Sequence, residues 1–311
     1  MIVVAGENVA DLVPAGGGRA DRSLLRLALG GGPANVAVAA ARLGVPVAMA
    51  ARLGHDALGA RFRARLVESG VDTRYLVDTV DPSALALATV GPGGDARYDF
   101  WLTGAADFGW RDGQLPPLAP GDTLHIGSLA ALLPPGADAI ERWATVHRPQ
   151  CTVTFDPNLR PAALNRPDSL VRLERLVRLA HVVKASDDDV RLAYPRVDPV
   201  ATARRWLDTG PGMVVLTHGA AGATALTRGT QVSVPAPRVD VVDTIGAGAA
   251  AMGALLAVLH RRGGPGVPDD ELPEVLRFIT AVAALTCTRA GADPPTAAEL
   301  AASSSSPPPR G

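Results

Sequence analysis

The sequence predicts an α/β fold: a mostly parallel central sheet with helices on both faces and a ligand site along one sheet edge. Three observations carry this. From Thr123 onward, short apolar runs alternate with amphipathic helical segments, as in a parallel sheet covered on both sides. Polar residues or glycines end the runs, where open α/β sheets bind their ligands. The third is the stretch Val239 to Leu259, V-D-V-V-D-T-I-G-A-G-A-A-A-M-G-A-L-L-A-V-L. It reads as a short strand (Val239 to Val242), a turn at Asp243, Thr244 and Ile245, small residues at Gly246, Ala247 and Gly248, and a helix. The first turn of such a helix has free N–H groups and the positive end of the macrodipole. Small residues let an anion approach them, so the stretch suits a phosphate or oxyanion.

Locally this stretch has other readings. One is a tight turn that binds nothing. Another is a dinucleotide fingerprint, since Gly246, Gly248 and Ala251 fit G-x-G-x-x-A. That fingerprint needs an acidic residue about 20 positions on at a strand end. Asp269 and Asp270 have the spacing but lie in G-G-P-G-V-P-D-D-E-L-P, which is turn sequence.

With 311 residues, a net charge of −1 and 47% hydrophobic residues, the chain suits one large α/β domain, with at most a small addition. Its arginines are dispersed, which argues against nucleic acid as a partner. An apolar run of 18 residues is missing, and so is a signal-peptide n-region; the expectation is a cytoplasmic protein with no membrane partner. Cys151 and Cys287 are isolated thiols without metal spacing. Residues 301–311, with S-S-S-S-P-P-P-R-G from Ser303, are expected to be a disordered tail.

Taken in order, Met1 to Ala5 reads as a buried strand leading to Gly6, Glu7, Asn8 and Asp11. Leu12 to Leu29 reads as strands outside the main sheet, with a loop at Gly16 to Gly18. Gly30-Gly31-Gly32-Pro33-Ala34-Asn35 opens a helix from Val36 to Leu43. Pro46 to Ala51 is a strand, and Arg61 to Ser69 an amphipathic helix. Ala84 to Val90 and Ala96 to Leu102 are strands around the turn G-P-G-G-D. Strands follow at Thr123 to Gly127, Thr152 to Phe155, His181 to Lys184 and Met213 to Thr217. The intervening helices cover Ala137 to Val146, Leu170 to Leu179 and Ala201 to Leu207.

Two strings, in this order, resemble the two signatures of the PfkB (ribokinase-like) sugar kinases. G-G-x-x-N-x-A followed by A-R-L-G matches the first. D-T-I-G-A-G-A-A matches the second, usually D-T-x-G-A-G-D. R-L-G-H-D-A-L-G resembles the family's G-x-D-x-x-G, at Gly54, Asp56 and Gly59. D-P-N-L-R (Asp156, Asn158, Arg160) and A-R-Y-D-F-W-L-T-G-A-A-D resemble segments of fructokinase-like members. The resemblance spans residues 2 to 300. It implies a ribokinase-like domain over 1–300, with a small β-sheet lid from about 11–30 and 84–104.

The same resemblance implies roles for individual residues. Asp11, Gly31, Gly32, Asn35, Phe100 and Arg160 would bind the sugar. Tyr98 and Trp101 would pack the lid or face the sugar, with packing expected for at least two of the three aromatics. Gly246, Ala247 and Gly248 would form the anion hole. Lys184, Ser186, Thr217, Gly219 and Gly222 would meet the nucleotide. K-A-S-D-D-D stands where the family has N-x-x-E, so Asp189 would hold Mg²⁺ through water. Asp243 would serve a monovalent cation such as K⁺. The family's general base, an Asp after the glycine loop, is replaced by Ala249. The expected function is ATP-dependent, fructokinase-like phosphotransfer to a sugar hydroxyl, inactive or severely impaired because a methyl cannot accept a proton. The alternative is a pseudokinase that binds a sugar, nucleoside or nucleotide without turnover. A homodimer would form through the lid.

Overall fold

The computed structural model describes residues 1–19, 22–90 and 96–304. The chain opens with β1 (Ile2–Ala5), β2 (Val9–Arg19), β3 (Arg22–Gly30), α1 (Gly32–Arg42), β4 (Val47–Gly54), α2 (Ala57–Glu68) and β5 (Leu76–Thr79). Then come β6 (Ala84–Val90), β7 (Ala96–Trp101), β8 (Thr123–Gly127), α3 (Ser128–Leu132), α4 (Gly136–His147), β9 (Thr152–Asp156), α5 (Pro161–Leu164) and α6 (Ser169–Leu179). The remainder is β10 (Val182–Ser186), α7 (Asp187–Ala193), α8 (Pro199–Leu207), β11 (Met213–Thr217), β12 (Ala223–Leu226), β13 (Gln231–Val234), α9 (Ala247–Arg262), α10 (Leu272–Cys287) and α11 (Ala297–Ser304).

The main sheet has the order β13-β12-β11-β10-β9-β8-β1-β4-β5. Its pairings are parallel from β5 to β11, and β12 and β13 extend it as an antiparallel edge. Alternate residues of each strand enter separate cores, because side chains on a strand point to opposite faces. Val3 and Ala5 pack with Leu124, Ile126, Val153 and Phe155 under α3, α4 and α6. Ile2 and Val4 pack with Val47, Met49, Val182 and Val215 under α1, α9 and α10. Burial on both faces explains why these strands read as continuous apolar runs. Phe155 is wholly buried; truncating it to Ala would cost about 3–5 kcal/mol.

The second sheet, ordered β3-β2-β6-β7, is the expected lid. Its strands begin at Val9 and end at Trp101. The run Gly16 to Gly18, expected as a loop, lies inside β2, where the pairing register with β3 shifts between Pro14 and Gly18. The turn G-P-G-G-D lies outside the described residues.

Several expectations need correction. Val239 to Val242 is not a strand. The Val242 N–H donates to the Cys287 carbonyl at the end of α10 (2.8 Å) rather than to a ladder, and Val241 and Val242 stay exposed. α1 starts at Gly32, four residues early, so Asn35 lies in its first turn. α2 starts at Ala57, capped by the Asp56 carboxylate, which accepts from the Leu58 and Gly59 N–H groups at 3.0 and 2.8 Å. Residues 301–304 continue α11, so the chain there is helical rather than tail; 305–311 lie outside the described residues. Among the described residues, no helix is long and apolar enough to cross a membrane.

Candidate active site

Two helices, α1 and α9, begin in the same way. Each is capped by a glycine with positive φ, Gly31 at 102° and Gly246 at 86°, and neither has a side-chain cap. Such backbone is strained for any residue with a Cβ. At Gly246 a Cβ would also sit 2.7 Å from the Ala292 Cβ, and at Gly31 it would meet the Glu7 carbonyl at 2.5 Å. Ala250 N–H bonds back to Gly246, whereas the first-turn N–H groups of Gly248 and Ala249 have no helical acceptor. They and the macrodipole form a seat for negative charge.

Both helix starts open onto a cavity of about 280 Å³ between the sheet edge and the lid. Asp11, Gly31, Gly32, Asn35, Phe100 and Arg160 all line it, together with Gly246, Gly248 and Ala249. Tyr98 and Phe100 line it as well. They alternate on β7, so they share a face, and their rings stack at 6.0 Å. Trp101 points the other way and is 56% exposed. Tyr98 and Phe100 thus line the cavity and also pack, Tyr98 on Phe100 and Phe100 on the main core, as packing was expected for at least two of the three.

A second cavity, of about 720 Å³, lies behind the glycine loop. Ser186, Thr217, Gly219, Gly222 and Ala247 line it, and Ile279, Ala283, Ala284 and Cys287 supply an apolar wall. Thr244 and Gly248 border both cavities. The glycine loop is thus the wall between two compartments.

Three residues with expected roles lie outside the lining of both cavities. Lys184 lines neither cavity. It lies 3% exposed beneath the loop, and its Nζ donates to Asp156 Oδ2 at 2.8 Å and to the Gly248 carbonyl at 3.2 Å. Asp189 also lines neither cavity. One oxygen accepts from the Ser186 N–H and hydroxyl at 2.8 and 2.6 Å, and the other from the Leu159 N–H at 2.6 Å. This is a capping box on α7. Its neighbours Asp187 and Asp188 border the second cavity. Asp243 joins two loops: its carboxylate accepts from the Ile245 N–H at 3.0 Å and the Gly291 N–H at 2.8 Å.

The floor of the first cavity is polar and buried. Glu7 is buried, accepts from the Ala130 N–H at 2.9 Å, and has its pKa raised by that burial. Burial likewise pushes Asp11 up to about 6, against the pull of the Arg160 charge. It raises Asp156 despite the ion pair with Lys184. His125 is driven down to about 3 by burial and by the Lys184 charge, so its ring is neutral; it bonds Thr154 Oγ1 at 3.0 Å. Behind the floor, Asp107 is pushed up to about 8 by burial, with the Glu7 charge adding to it. Asn158 adds its Nδ2 donor to Ser128 Oγ at 3.1 Å.

Glu7 and His125 were not singled out from the sequence as contacts, whereas Asn158 was expected by the sugar with the rest of D-P-N-L-R. Glu7 and Asn158 sit just past strand ends, which is a usable signal. His125 lies mid-strand, where periodicity alone says nothing of chemistry.

The comparisons with known proteins agree with this geometry. A model of the pfkB family carbohydrate kinases matches residues 1–299. A fructokinase from Klebsiella pneumoniae is 33% identical over 297 residues, covering 94% of each chain. Among solved structures, a fructokinase double mutant from Vibrio cholerae O395, bound to fructose, ADP and potassium, has a TM-score of 0.85 and 28% identity, covering 97% of each chain. Aminoimidazole riboside kinase from Salmonella enterica, complexed with its riboside and an ATP analog, has a TM-score of 0.84 and 28% identity, covering 97% of this chain and 98% of that one. With the family model spanning nearly the whole chain and fructokinases aligned along its length, this chain belongs to the pfkB family of carbohydrate kinases and has fructokinase-like homologues.

Proposed function

We propose that the chain takes a ketohexose or similar small sugar in the cavity under the lid, and MgATP in the cavity behind the loop. The observation that carries this reading is the wall the cavities share. Thr244 and Gly248 border both, so a terminal phosphate at the N-terminus of α9 would stand between nucleotide and sugar. Phosphoryl transfer requires that in-line arrangement with charge neutralisation. Asp11 and Asn35 would hydrogen-bond sugar hydroxyls, each contributing about 0.5–1.5 kcal/mol. The apolar wall at Ile279, Ala283 and Ala284 suits an adenine.

Mg²⁺ would neutralise phosphate charge, held mainly by the phosphates and water, with Asp187 and Asp188 the carboxylates bordering that cavity. K⁺ would lie by Asp243, whose two oxygens each keep a lone pair. Ala249 supplies no proton acceptor. The other carboxylates at the sugar cavity are engaged or displaced: Asp156 by Lys184, Glu7 by Ala130, and Asp11 on the lid. Turnover should therefore be severely impaired. A pseudokinase that holds both ligands without transfer is the second reading, favoured by the same alanine. The outward residues Leu24 and Trp101, 66% and 56% exposed, offer a lid surface for a homodimer.

Calorimetry with fructose and with ADP plus Mg²⁺ tests the proposal, using nucleosides as competitors. Binding of both ligands is expected. Stabilisation by nucleosides and not by sugars would replace the sugar assignment. The absence of nucleotide binding at millimolar concentration would remove both readings.

A further inference from the structure

Arg65 belongs to α2, away from both signatures, yet its side chain reaches Asn35 and the segment packed against the glycine loop. Its Nη2 donates to Asn35 Oδ1 at 2.8 Å and to the Ala292 carbonyl at 3.2 Å. A guanidinium only donates, so the Asn35 oxygen must face Arg65 and its Nδ2 must point the other way. Asn35 lines the sugar cavity, so it offers that cavity a donor rather than an acceptor.

The second bond holds a different element. Ala292 sits against Gly246, and Gly291 donates to Asp243 at 2.8 Å just before the glycine loop. Arg42 anchors the far side of the same segment, pairing with Asp293 and donating to the Pro294 carbonyl at 2.7 Å. The segment 291–294 is therefore clamped from outside and pressed onto the anion seat. One guanidinium nitrogen touches both the residue that would bind sugar and the segment that shapes the phosphate seat.

The geometry points to Arg65 as a positioning residue that fixes the amide of Asn35 and couples the sugar half-site to the phosphate half-site. It selects a ligand that presents an oxygen acceptor to Asn35, complementing the acceptor at Asp11. The coupling is a free energy shared by the two ligands, and each must tighten the other by the same factor. This part rests on the proposed sugar and nucleotide sites; the clamp on 291–294 does not.

Two measurements on the full chain test it. Hydrogen exchange without ligand reads the clamp. In Arg65→Met, amides of 291–293 and 245–248 should exchange about tenfold faster, with β1, β8 and β9 unchanged. Calorimetry reads the coupling. Fructose should bind about tenfold more weakly to Arg65→Met, because a charge-assisted bond is lost and Asn35 is free to turn over. ADP alone should bind within about threefold of the parent, and the gain in fructose affinity on adding ADP should fall toward none. Arg65→Lys keeps one cationic donor and should recover much of the fructose affinity but less of the exchange protection. A folded Arg65→Met with unchanged exchange and unchanged fructose affinity overturns the inference, and so does intact coupling. If the parent binds neither ligand, the sugar kinase proposal fails instead, and exchange in the ligand-free chain still decides the clamp.

Discussion

Replacing Ala249 by Asp should create or restore sugar phosphorylation. Residue 249 is the third residue of α9, which begins at Ala247, and it lines the sugar cavity. Side chains on a helix tilt toward its N-terminus, so a carboxylate there would lie over the Gly246–Gly248 turn. The helix terminus favours its ionised form by about 0.3–1 kcal/mol. The Lys184 ammonium, 3.2 Å from the Gly248 carbonyl, adds to that field. Ala249 is only half-buried, so the larger side chain fits without opening the core. A positioned base contributes about 10²–10⁴-fold, which corresponds to roughly 3–5 kcal/mol of barrier. The assay is ADP release with fructose and a sugar panel, comparing the parent with Ala249→Asp. A variant that is folded, binds ADP and a sugar, and is no faster than the parent refutes the kinase reasoning and leaves the pseudokinase.

Three further outcomes are expected. Gly246→Ala should lose about 1–3 kcal/mol of stability in denaturant titration, because φ is 86° and its Cβ would meet Ala292; ADP affinity should fall with it, and intact stability and affinity would contradict the anion seat. Sugar affinity should depend on the Asp11 carboxylate, whose pKa is raised from 3.8 to about 6. A sugar hydroxyl donates to the ionised form, so affinity rises with pH through about 6 and levels above it, and at pH 5 it should be about tenfold weaker; Asp11→Asn should flatten that profile in calorimetry. Asp107 keeps its proton in the fold up to about pH 8, against 3.8 as its ordinary value. The native state therefore binds the extra proton between those values, and stability falls as pH rises across them, by up to ~1.4 kcal/mol per unit. Asp107→Asn should flatten the melting temperature between pH 5 and 8, and an unchanged slope would exclude Asp107 as its source.

Much of the fold was legible because apolar periodicity is local. The alternation after Thr123 specified β8 to β11 and the helices between them, since each strand is buried on both faces and each helix on one. Val239 to Val242 misled for a related reason: a β-rich run has strand propensity whether or not a neighbour strand exists to pair with it. Here the nearest partner is the end of α10, and propensity yields to the absence of a ladder. The lid strand β2 hid its glycines because a register shift carries them within a sheet.

The two signatures on their own located the proposed anion seat and the proposed sugar-binding turn, because both depend on small residues and helix starts that are written consecutively. Ala249 was equally plain, being one letter in such a string. Only the tertiary structure decided that Lys184 lies beneath the loop with Asp156, that Asp189 accepts from the Leu159 N–H, and that Arg65 joins Asn35 to Ala292. These roles rest on approaches between residues 28, 30 and 227 positions apart. The electrostatics around the first cavity followed the same rule: Asp11, Asp107 and His125 are shifted mainly by burial. Burial is set by how layers from distant parts of the chain close over one another, and no local pattern in the sequence encodes it.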